Sequence, residues 1–226
     1  MNVLRKGKLL AGLCALACAT SAGAYPLFYV NPNETEEPLA AVEYYNAAHD
    51  QYFVTTSADE MAVLDAGVIA GWKRTGNGEA FLAFADPVQL VGGMDPAYAG
   101  AAPVCRFFIP PASHFLSASS EECAAVAAAH PEFVLETPAA FFAWLPAADG
   151  TCVQPSTKIG GFAFRAVYRL WNNRPDTNHR LTASKVERDT MIAQGWVSEG
   201  YGNDGAAMCV PSWDQRITIE VVPRSP

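Results

Sequence analysis

The stretch NHRLTASKVERD at residues 178–189 contains the pattern that decides the fold. Ser184 is followed three residues later by Glu187, where an amphipathic run begins. In a capping box, the serine hydroxyl accepts a hydrogen bond from the backbone N–H three residues on, and the glutamate reaches back to the N–H of the serine. The stretch therefore predicts the end of a strand and the start of a helix, rather than a histidine–serine–glutamate active site.

The same S-x-x-E pattern occurs at two earlier points, from Ser57 to Glu60 and from Ser119 to Glu122. One such pattern is common by chance, whereas three that each precede an amphipathic run indicate an internal repeat. We therefore expect three helices that begin with capping boxes at these positions. The apolar positions expected on their buried faces are Leu64, Val126 and Met191, with Met61 and Val68 extending the first helix.

Strand patterns flank each predicted helix in the same order. An aromatic strand, a polar turn and a second strand precede the helix, and a strand that begins with Trp or Phe follows it. These β-β-α-β units occupy about residues 41–84, 103–145 and 166–210, with linkers near 85–103 and 146–166. Units of this size cannot bury their apolar faces alone. We predict one α+β domain in which they pack around a pseudo-threefold axis, as in a β-trefoil, with a linear array as the alternative.

The N-terminus has the pattern of a secretory signal peptide. Three basic residues precede an apolar run from Leu9 to about Ala19, and a small-residue cleavage motif ends at Ala24. The run is too short for a good membrane span, and a lipid anchor at Cys18 is the less favoured alternative. We expect a secreted or periplasmic protein without a transmembrane segment. Its parts are a signal peptide at 1–24, a flexible acidic segment at 25–40, the repeat domain at 41–212 and a C-terminal tail at 213–226.

The charge of the chain limits the classes of partner. The formal net charge is −8, and removing the three basic residues of the signal peptide makes it −11. Nucleic acids and anionic membranes require clustered Lys and Arg, so the acidic balance argues against both. The four histidines are scattered without the spacing of a metal site. We predict neither a metal nor a cofactor.

Patterns that indicate catalysis are weak in this sequence. No G-x-S-x-G turn is present to expose a nucleophilic serine. Loop carboxylates at Asp50, Asp176 and Glu199 leave a secreted hydrolase as an alternative, because paired carboxylates are recognised by their distance in space rather than in sequence. We nevertheless predict a protein that is not an enzyme.

Aromatic residues near the turn between the first and second strands favour a binding function. Tyr45, Phe108 and Trp171 are equivalent, and strand alternation places each on the same face as the charged residue two positions earlier. An aromatic ring beside a charged side chain suits a sugar or polymer. The alternative is that the rings join the units and the charges pair with neighbours. The predicted ligand-binding residues are Tyr45, Arg106, Phe108, His114, Arg169, Trp171, Asn172 and His179.

Two segments carry a family resemblance: VEYYNAAHDQYFVTTSADE from Val42, followed by AGWKRTG, and VYRLWNNRPDTNHRLTASKVE from Val167, followed by GWVSEG. They are similar to the repeats of DUF5648, a family of unknown function with the approximate pattern Y-R-x-Y-N, D-H-F-Y-T-T-S-x-x-E, a helix and G-W-x-x-E-G. The resemblance covers about residues 41 to 212. It implies an exported protein with no established catalytic role and with extracellular glycan or polymer as the suspected ligand.

Three positions depart from the family pattern. Glu43 stands where the other two units have arginine, Tyr52 where they have histidine, and Ile109 where they have asparagine. If each unit carried a ligand site, the third would be the most complete. The exchange of histidine for tyrosine also favours packing over catalysis for His114 and His179.

The repeat pattern also bears on the cysteines. Four cysteines remain after the signal peptide, an even number that favours two disulfides in an exported protein, with three pairings open. Cys105 and Cys123 fall within the second unit, on its first strand and at its helix start. Cys152 precedes the third unit, and Cys209 lies on its last strand. The resemblance therefore suggests the pairs Cys105–Cys123 and Cys152–Cys209, with the other pairings as alternatives.

The sequence and the resemblance together predict a secreted, non-catalytic binding or interaction module. Carbohydrate or a cell-surface polymer is the expected ligand. The alternatives are the secreted hydrolase and a structural envelope protein, which would show no saturable ligand.

Overall fold

The computed structural model describes residues 38–75, 80–85, 100–153 and 163–212. The predicted signal peptide, most of the predicted acidic segment and the predicted C-terminal tail lie outside these ranges. Strands make up most of the regular structure in the described ranges, together with three helices. No helix there combines the length and the apolar character needed to cross a membrane.

A hairpin, a helix and a returning strand follow one another three times along the chain. We call these sets the first, second and third units. The first contains β1 (Leu39–Asn46), β2 (Gln51–Thr55), α1 (Ala58–Asp65) and β3 (Trp72–Arg74), and β4 (Phe81–Ala83) and β5 (Ala102–Pro103) follow it. The second contains β6 (Cys105–Ile109), β7 (Ser113–Ser117), α2 (Ser120–Ala129) and β8 (Val134–Thr137), and β9 (Phe142–Ala143) follows it. The third contains β10 (Ala163–Trp171), β11 (His179–Thr182), α3 (Lys185–Ala193) and β12 (Val197–Glu199), and β13 (Ala206–Ser212) follows it.

The first strand of each unit is the central strand of its sheet. The strand orders are β2-β1-β3, β7-β6-β8 and β11-β10-β12, and every pairing is antiparallel. The N-terminal halves of β1 and β10 pair in addition with β4 and β13. The result is a mixed domain of mostly antiparallel strands and a few helices, in agreement with the predicted α+β class.

Apolar residues from all three units meet in one core. Val54, Leu116 and Leu181, from the second strand of each unit, are 3%, 4% and 3% exposed and belong to the same buried cluster. β2, β7 and β11 also contact one another in pairs. The third unit therefore packs against the first as well as against the second.

Each helix begins at the serine that the sequence predicted. The side chains of Ser57, Ser119 and Ser184 accept hydrogen bonds from the backbone N–H groups three residues on, at 3.3, 3.2 and 3.2 Å. This half of the capping box satisfies one of the free N–H groups at each helix start. It fixes the direction in which each chain leaves its hairpin.

The other half of the predicted capping box is wrong, because no glutamate bonds directly to the N–H of its serine. In the third unit, the hydroxyl of Thr182 accepts from the Ser184 N–H at 3.1 Å and donates to Glu187 at 2.7 Å. Thr55 and Ser117 occupy the same place in the other units. The hydroxyl relays the bond, so part of each carboxylate is left for an arginine, which belongs to the next unit for Glu60 and Glu122 and to the same unit for Glu187.

The buried faces of the helices follow the prediction except at one residue. Leu64 and Met191 are 6% and 5% exposed, and Met61 and Val126 are partly buried against satellite clusters. Val68, however, is 74% exposed. The reason is that α1 ends at Asp65, and the left-handed Gly67, at φ 69°, turns the chain away from the helix axis.

The structure contains two disulfides. Cys105–Cys123 joins β6 to α2, and Cys152–Cys209 joins the segment before β10 to β13. These are the two pairs that the family resemblance suggested. The first spans 18 residues and the second spans 57.

The difference in loop length predicts unequal contributions to stability. Replacing both cysteines of Cys105–Cys123 by serine is expected to cost about 3 kcal/mol, and the same change at Cys152–Cys209 about 4 kcal/mol, because the longer loop restricts the unfolded chain more. Equilibrium unfolding in guanidinium chloride measures both values. An equal or reversed order would mean that strain or packing, and not loop closure, dominates.

Candidate functional site

Arg106 lies at the contact between the first and second units, which we call the first boundary. Its guanidinium donates to the helix-cap carboxylate of Glu60 at 2.5 Å and to Glu136 of its own unit at 2.8 Å. It also lies over the ring of Phe53, 5.0 Å from the centroid. The arginine thus joins the helix start of one unit to the returning strand of the next.

Arg169 repeats this arrangement at the second boundary, between the second and third units. It donates to the helix-cap carboxylate of Glu122 at 2.6 Å and to Glu199 at 3.0 Å. It lies 4.4 Å over the ring of Phe115. Because both arginines are buried and fully paired, their main role in the described structure is to join units.

The third boundary, between the third and first units, uses an arginine from a different position. The first unit has Glu43 where the others have arginine, and the third unit has Arg180 where they have phenylalanine. Arg180 donates two bonds of 2.9 Å to Glu43 and lies 2.5 Å from the helix-cap carboxylate of Glu187. It stacks over Tyr52 at 4.4 Å. The third boundary therefore has an ion-paired guanidinium like the other two, but it lacks their phenylalanine ring.

A cleft of about 430 Å³ opens at the third boundary. Its volume lies within the range of about 300–1,000 Å³ that is usual for small-molecule sites. At the other boundaries, Phe53 and Phe115 pack against His114 and His179, with ring centroids 4.6 and 5.4 Å apart. We attribute the cleft to the absence of such a ring. It is lined by Asp50, Tyr52, Arg174, Arg180, Glu187, Thr190, Met191, Gln194 and Trp196.

Two aromatic residues shape the cleft. Trp196 follows α3 and meets the edge of Tyr52, with ring centroids 6.2 Å apart at an angle of 68°. Tyr52 is held by Arg180 and by the ring of Tyr45, whose centroid lies 4.8 Å away. Burial raises the pKa of Tyr52, and Glu43 adds to this against the opposing charge of Arg180. Its phenol is therefore protonated at neutral pH, with a hydroxyl that can donate.

The rim of the cleft joins the hairpin turns of the first and third units. Arg174 donates to Asp50 at 2.6 Å and to Asp176 at 2.9 Å, and Tyr45 donates to Asp50 at 2.8 Å. Asn178, which is fully buried, donates to the backbone oxygen of Asp50 at 2.6 Å. The polar groups on this side of the cleft are therefore held in place before any ligand arrives.

The two histidines of the predicted site face the shared core. His114 and His179 line a cavity of about 10 Å³ together with Tyr52 and the core residues of β2, β7 and β11. Their Nε2 atoms lie 3.5 and 3.4 Å from Glu136 and Glu199, and both Nδ1 atoms are buried without a hydrogen-bond partner. A cavity of that size holds at most one water.

The remaining predicted site residues lie at separate places. Tyr45 supports Tyr52 beside the cleft, and Phe108 packs on His114 at 5.4 Å. Trp171 is partly buried, with its Nε1 lacking a partner, and Asn172 is buried within its turn. The structure therefore does not gather the eight predicted residues into one surface, and ligand binding by them stays a prediction.

Trp196, Arg180, Arg174 and Gln194 were missed as site residues by the sequence reasoning. A signal for them was present, because Glu43 departs from the arginine of its sister units while Arg180 departs from their phenylalanine. Taken together, the two departures place opposite charges on two side chains that form an ion pair across the third boundary. Only their proximity reveals that they compensate each other.

The carboxylates considered for hydrolysis are engaged in ion pairs. Arg174 holds the pKa of Asp176 below its ordinary value. Burial alone would raise the pKa of Glu199, but His179 and Arg169 outweigh it and lower the value. Glycoside hydrolysis requires one carboxylic acid whose pKa is raised. Neither of these two residues supplies that acid.

The exchange at the third boundary predicts strong coupling between Glu43 and Arg180. Arg180→Phe alone is expected to cost about 3–5 kcal/mol, because it leaves the buried carboxylate of Glu43 without its cation. Adding Glu43→Arg is expected to recover most of this loss, since the new arginine can reach Glu187 and lie over the new ring. Guanidinium unfolding of the two single variants and the double variant measures the coupling. Additive effects would contradict the compensation.

The boundary carboxylates predict a loss of stability in acid. Burial would raise the pKa of Glu60, Glu122, Glu136 and Glu199, but arginine and histidine neighbours hold all four below the ordinary value of 4.5. Their stabilisation is fully present above the unfolded pKa and is lost as the pH falls through the lowered values. The free energy of unfolding should therefore fall below about pH 5.

Glu122→Gln is expected to weaken this pH dependence, whereas the exposed neighbour Glu121→Gln should keep the slope of the unmodified protein. Urea unfolding between neutral and acidic pH measures both slopes. A Glu122→Gln variant with an unchanged slope would show that its pair with Arg169 does not govern acid stability.

Comparison with known protein families gives one match, which covers the third unit. Residues 150–208 match the family model described as Domain of unknown function (DUF5648). No curated protein and no solved structure matches the chain. The matched residues include β10, β11, α3 and β12, and with them the cleft residues from Arg174 to Trp196. The resemblance expected from the sequence is therefore confirmed over residues 150–208.

Proposed function

We propose that this protein is an exported, non-catalytic module that binds carbohydrate or a cell-surface polymer in the cleft at the third boundary. The observation that carries the proposal is the cleft itself, which lies where an arginine replaces the ring that fills the other boundaries. The proposal includes a closed, β-trefoil-like arrangement of the three units. It also includes secretion or residence in the periplasm.

The contacts between units support the closed arrangement. A linear array would leave the first and third units apart, whereas Arg180 of the third unit pairs with Glu43 of the first. The second strands of all three units contact one another, and each boundary has one arginine on a helix-cap carboxylate. These contacts are those expected around a pseudo-threefold axis.

Two features support export. The disulfides Cys105–Cys123 and Cys152–Cys209 form and persist in oxidising compartments outside the cytosol. The N-terminal sequence has the basic, apolar and small-residue regions of a signal peptide. An acidic protein with these features fits a partner at the cell surface that is neither nucleic acid nor an anionic membrane.

The groups in the cleft support a sugar as ligand. Trp196 is partly exposed and lines the cleft, whereas its counterparts Trp72 and Phe133, which are also partly exposed, are not among the lining residues. Sugars combine an apolar face, which stacks on aromatic rings, with hydroxyl groups that need donors and acceptors. The carboxylates of Asp50 and Glu187 and the amide of Gln194 provide those partners around the same ring.

Binding should depend on Trp196 and not on its counterpart in the second unit. Trp196→Ala is expected to weaken binding in a glycan array and in calorimetry by about tenfold or more, as for loss of a central aromatic contact. Phe133→Ala is the matched control, because it removes the equivalent ring of the second unit, which does not line the cleft. Equal binding by Trp196→Ala and the unmodified protein would rule out the cleft as the site.

The double variant Glu43→Arg with Arg180→Phe offers a test that leaves the Trp196 ring in place. It is expected to stay folded by circular dichroism, to fill the cleft with a ring and to lose binding. Loss of binding on Trp171→Ala alone would instead place the site at the hairpin of the third unit. Release of reducing ends would favour the hydrolase, and a protein with no saturable ligand would favour a structural role.

A further inference from the structure

Carboxylates outnumber guanidinium groups in the network of ion pairs around the cleft. Two arginines, Arg174 and Arg180, are the cations among the residues that line it. Each is paired with two carboxylates, Arg174 with Asp50 and Asp176, and Arg180 with Glu43 and Glu187. With Asp176 and Glu43, which lie outside the lining residues, this network of four carboxylates and two guanidinium groups carries two negative charges in excess.

Three of the four carboxylates in this network are exposed, together with one of its two arginines, Arg174, whose side chain is 46% exposed. The side chains of Asp50, Asp176 and Glu187 are 44%, 39% and 36% exposed, whereas that of Arg180 is 12% exposed beneath the Tyr52 ring. Arg174 is the one exposed cation of the cleft, and both of its aspartates hold it at the rim. A ligand therefore meets more exposed carboxylates than exposed cations, and the exposed cation is already bound by two aspartates.

We propose that the cleft selects glycans by charge and prefers a polymer of amino sugars to a neutral one and a neutral one to a uronic acid or sulfated polymer. This inference rests on the proposed function. A protonated amine can donate to Asp50 or Glu187 in a charge-assisted hydrogen bond, and Trp196 attracts a cation at its face. A sugar carboxylate would have to displace an existing ion pair or lie among like charges.

The test uses three hexasaccharides of matched length, made of glucosamine, N-acetylglucosamine and galacturonic acid. Calorimetry at about pH 6 is expected to give the tightest binding for glucosamine and the weakest for galacturonic acid. The two charged ligands should differ by about tenfold or more at low salt. Raising the ionic strength to about 0.5 M should reduce the difference, because the interacting charges are exposed.

Two rim variants should move the selectivity in opposite directions. Arg174→Gln removes a cation and should widen the preference for glucosamine, whereas Asp50→Asn removes an anion and should narrow it. Lys185→Gln is the matched control. Lys185 lies on α3, which supplies part of the cleft lining, but it pairs with Asp204 outside the cleft. It is expected to leave the ratio of the three affinities unchanged.

The outcomes separate the two proposals. Galacturonic acid binding as tightly as glucosamine, or a ratio that neither salt nor the rim variants change, would overturn charge selection while leaving the binding function in place. If none of the three hexasaccharides binds, or if Trp196→Ala weakens the binding of none of them, the binding function is overturned and the charge selection with it.

Discussion

Each boundary between units depends on one guanidinium held by the carboxylate at the start of a neighbouring helix. The arginine in each case is buried or nearly so, and taking a charge out of water costs several kcal/mol unless its partners are well placed. That requirement makes the boundary specific, because an arginine without its glutamate cannot be accommodated in the packed core. The hydroxyl relay at each helix start makes the pair available. It satisfies the serine N–H through Thr or Ser, which leaves the carboxylate free to accept from an arginine. That arginine belongs to the next unit for Glu60 and Glu122 and to the same unit for Glu187.

The same constraint explains why the three boundaries differ. Glu43 in the arginine position would leave the third boundary with two acidic groups and no cation, if Arg180 did not supply one. The exchange preserves the charge balance but not the shape, since a guanidinium drawn toward Glu43 does not fill the space of a phenylalanine ring. The cleft at the third boundary lies beside this exchanged pair. This is a physical route by which similar units come to have unequal surfaces.

The groups around the cleft are held by contacts that also hold the domain together. Arg180 joins the first and third units, and Arg174 with Asn178 joins their hairpin turns. Fixed polar groups lower the ordering cost of binding, which is the usual advantage of a preorganised site. The same overlap means that variants of Arg180 report on stability as well as on binding. Variants of Trp196 and Arg174, which lie at the edge of the cleft, separate the effect on binding from the effect on stability better.

The sequence by itself determined the local structure of this protein. The three S-x-x-E patterns located the helix starts, alternation located the strands, and the family pattern suggested the disulfide pairs, because each of these depends on residues close in the chain or on a recurring unit. The tertiary structure alone decided which partners the glutamates take, where Val68 lies and that His114 and His179 face the core. It alone also brought Trp196, Tyr52 and Asp50 around one cleft. These features depend on residues far apart in sequence, and the cleft depends on a missing ring, which has meaning only once its neighbours are in place.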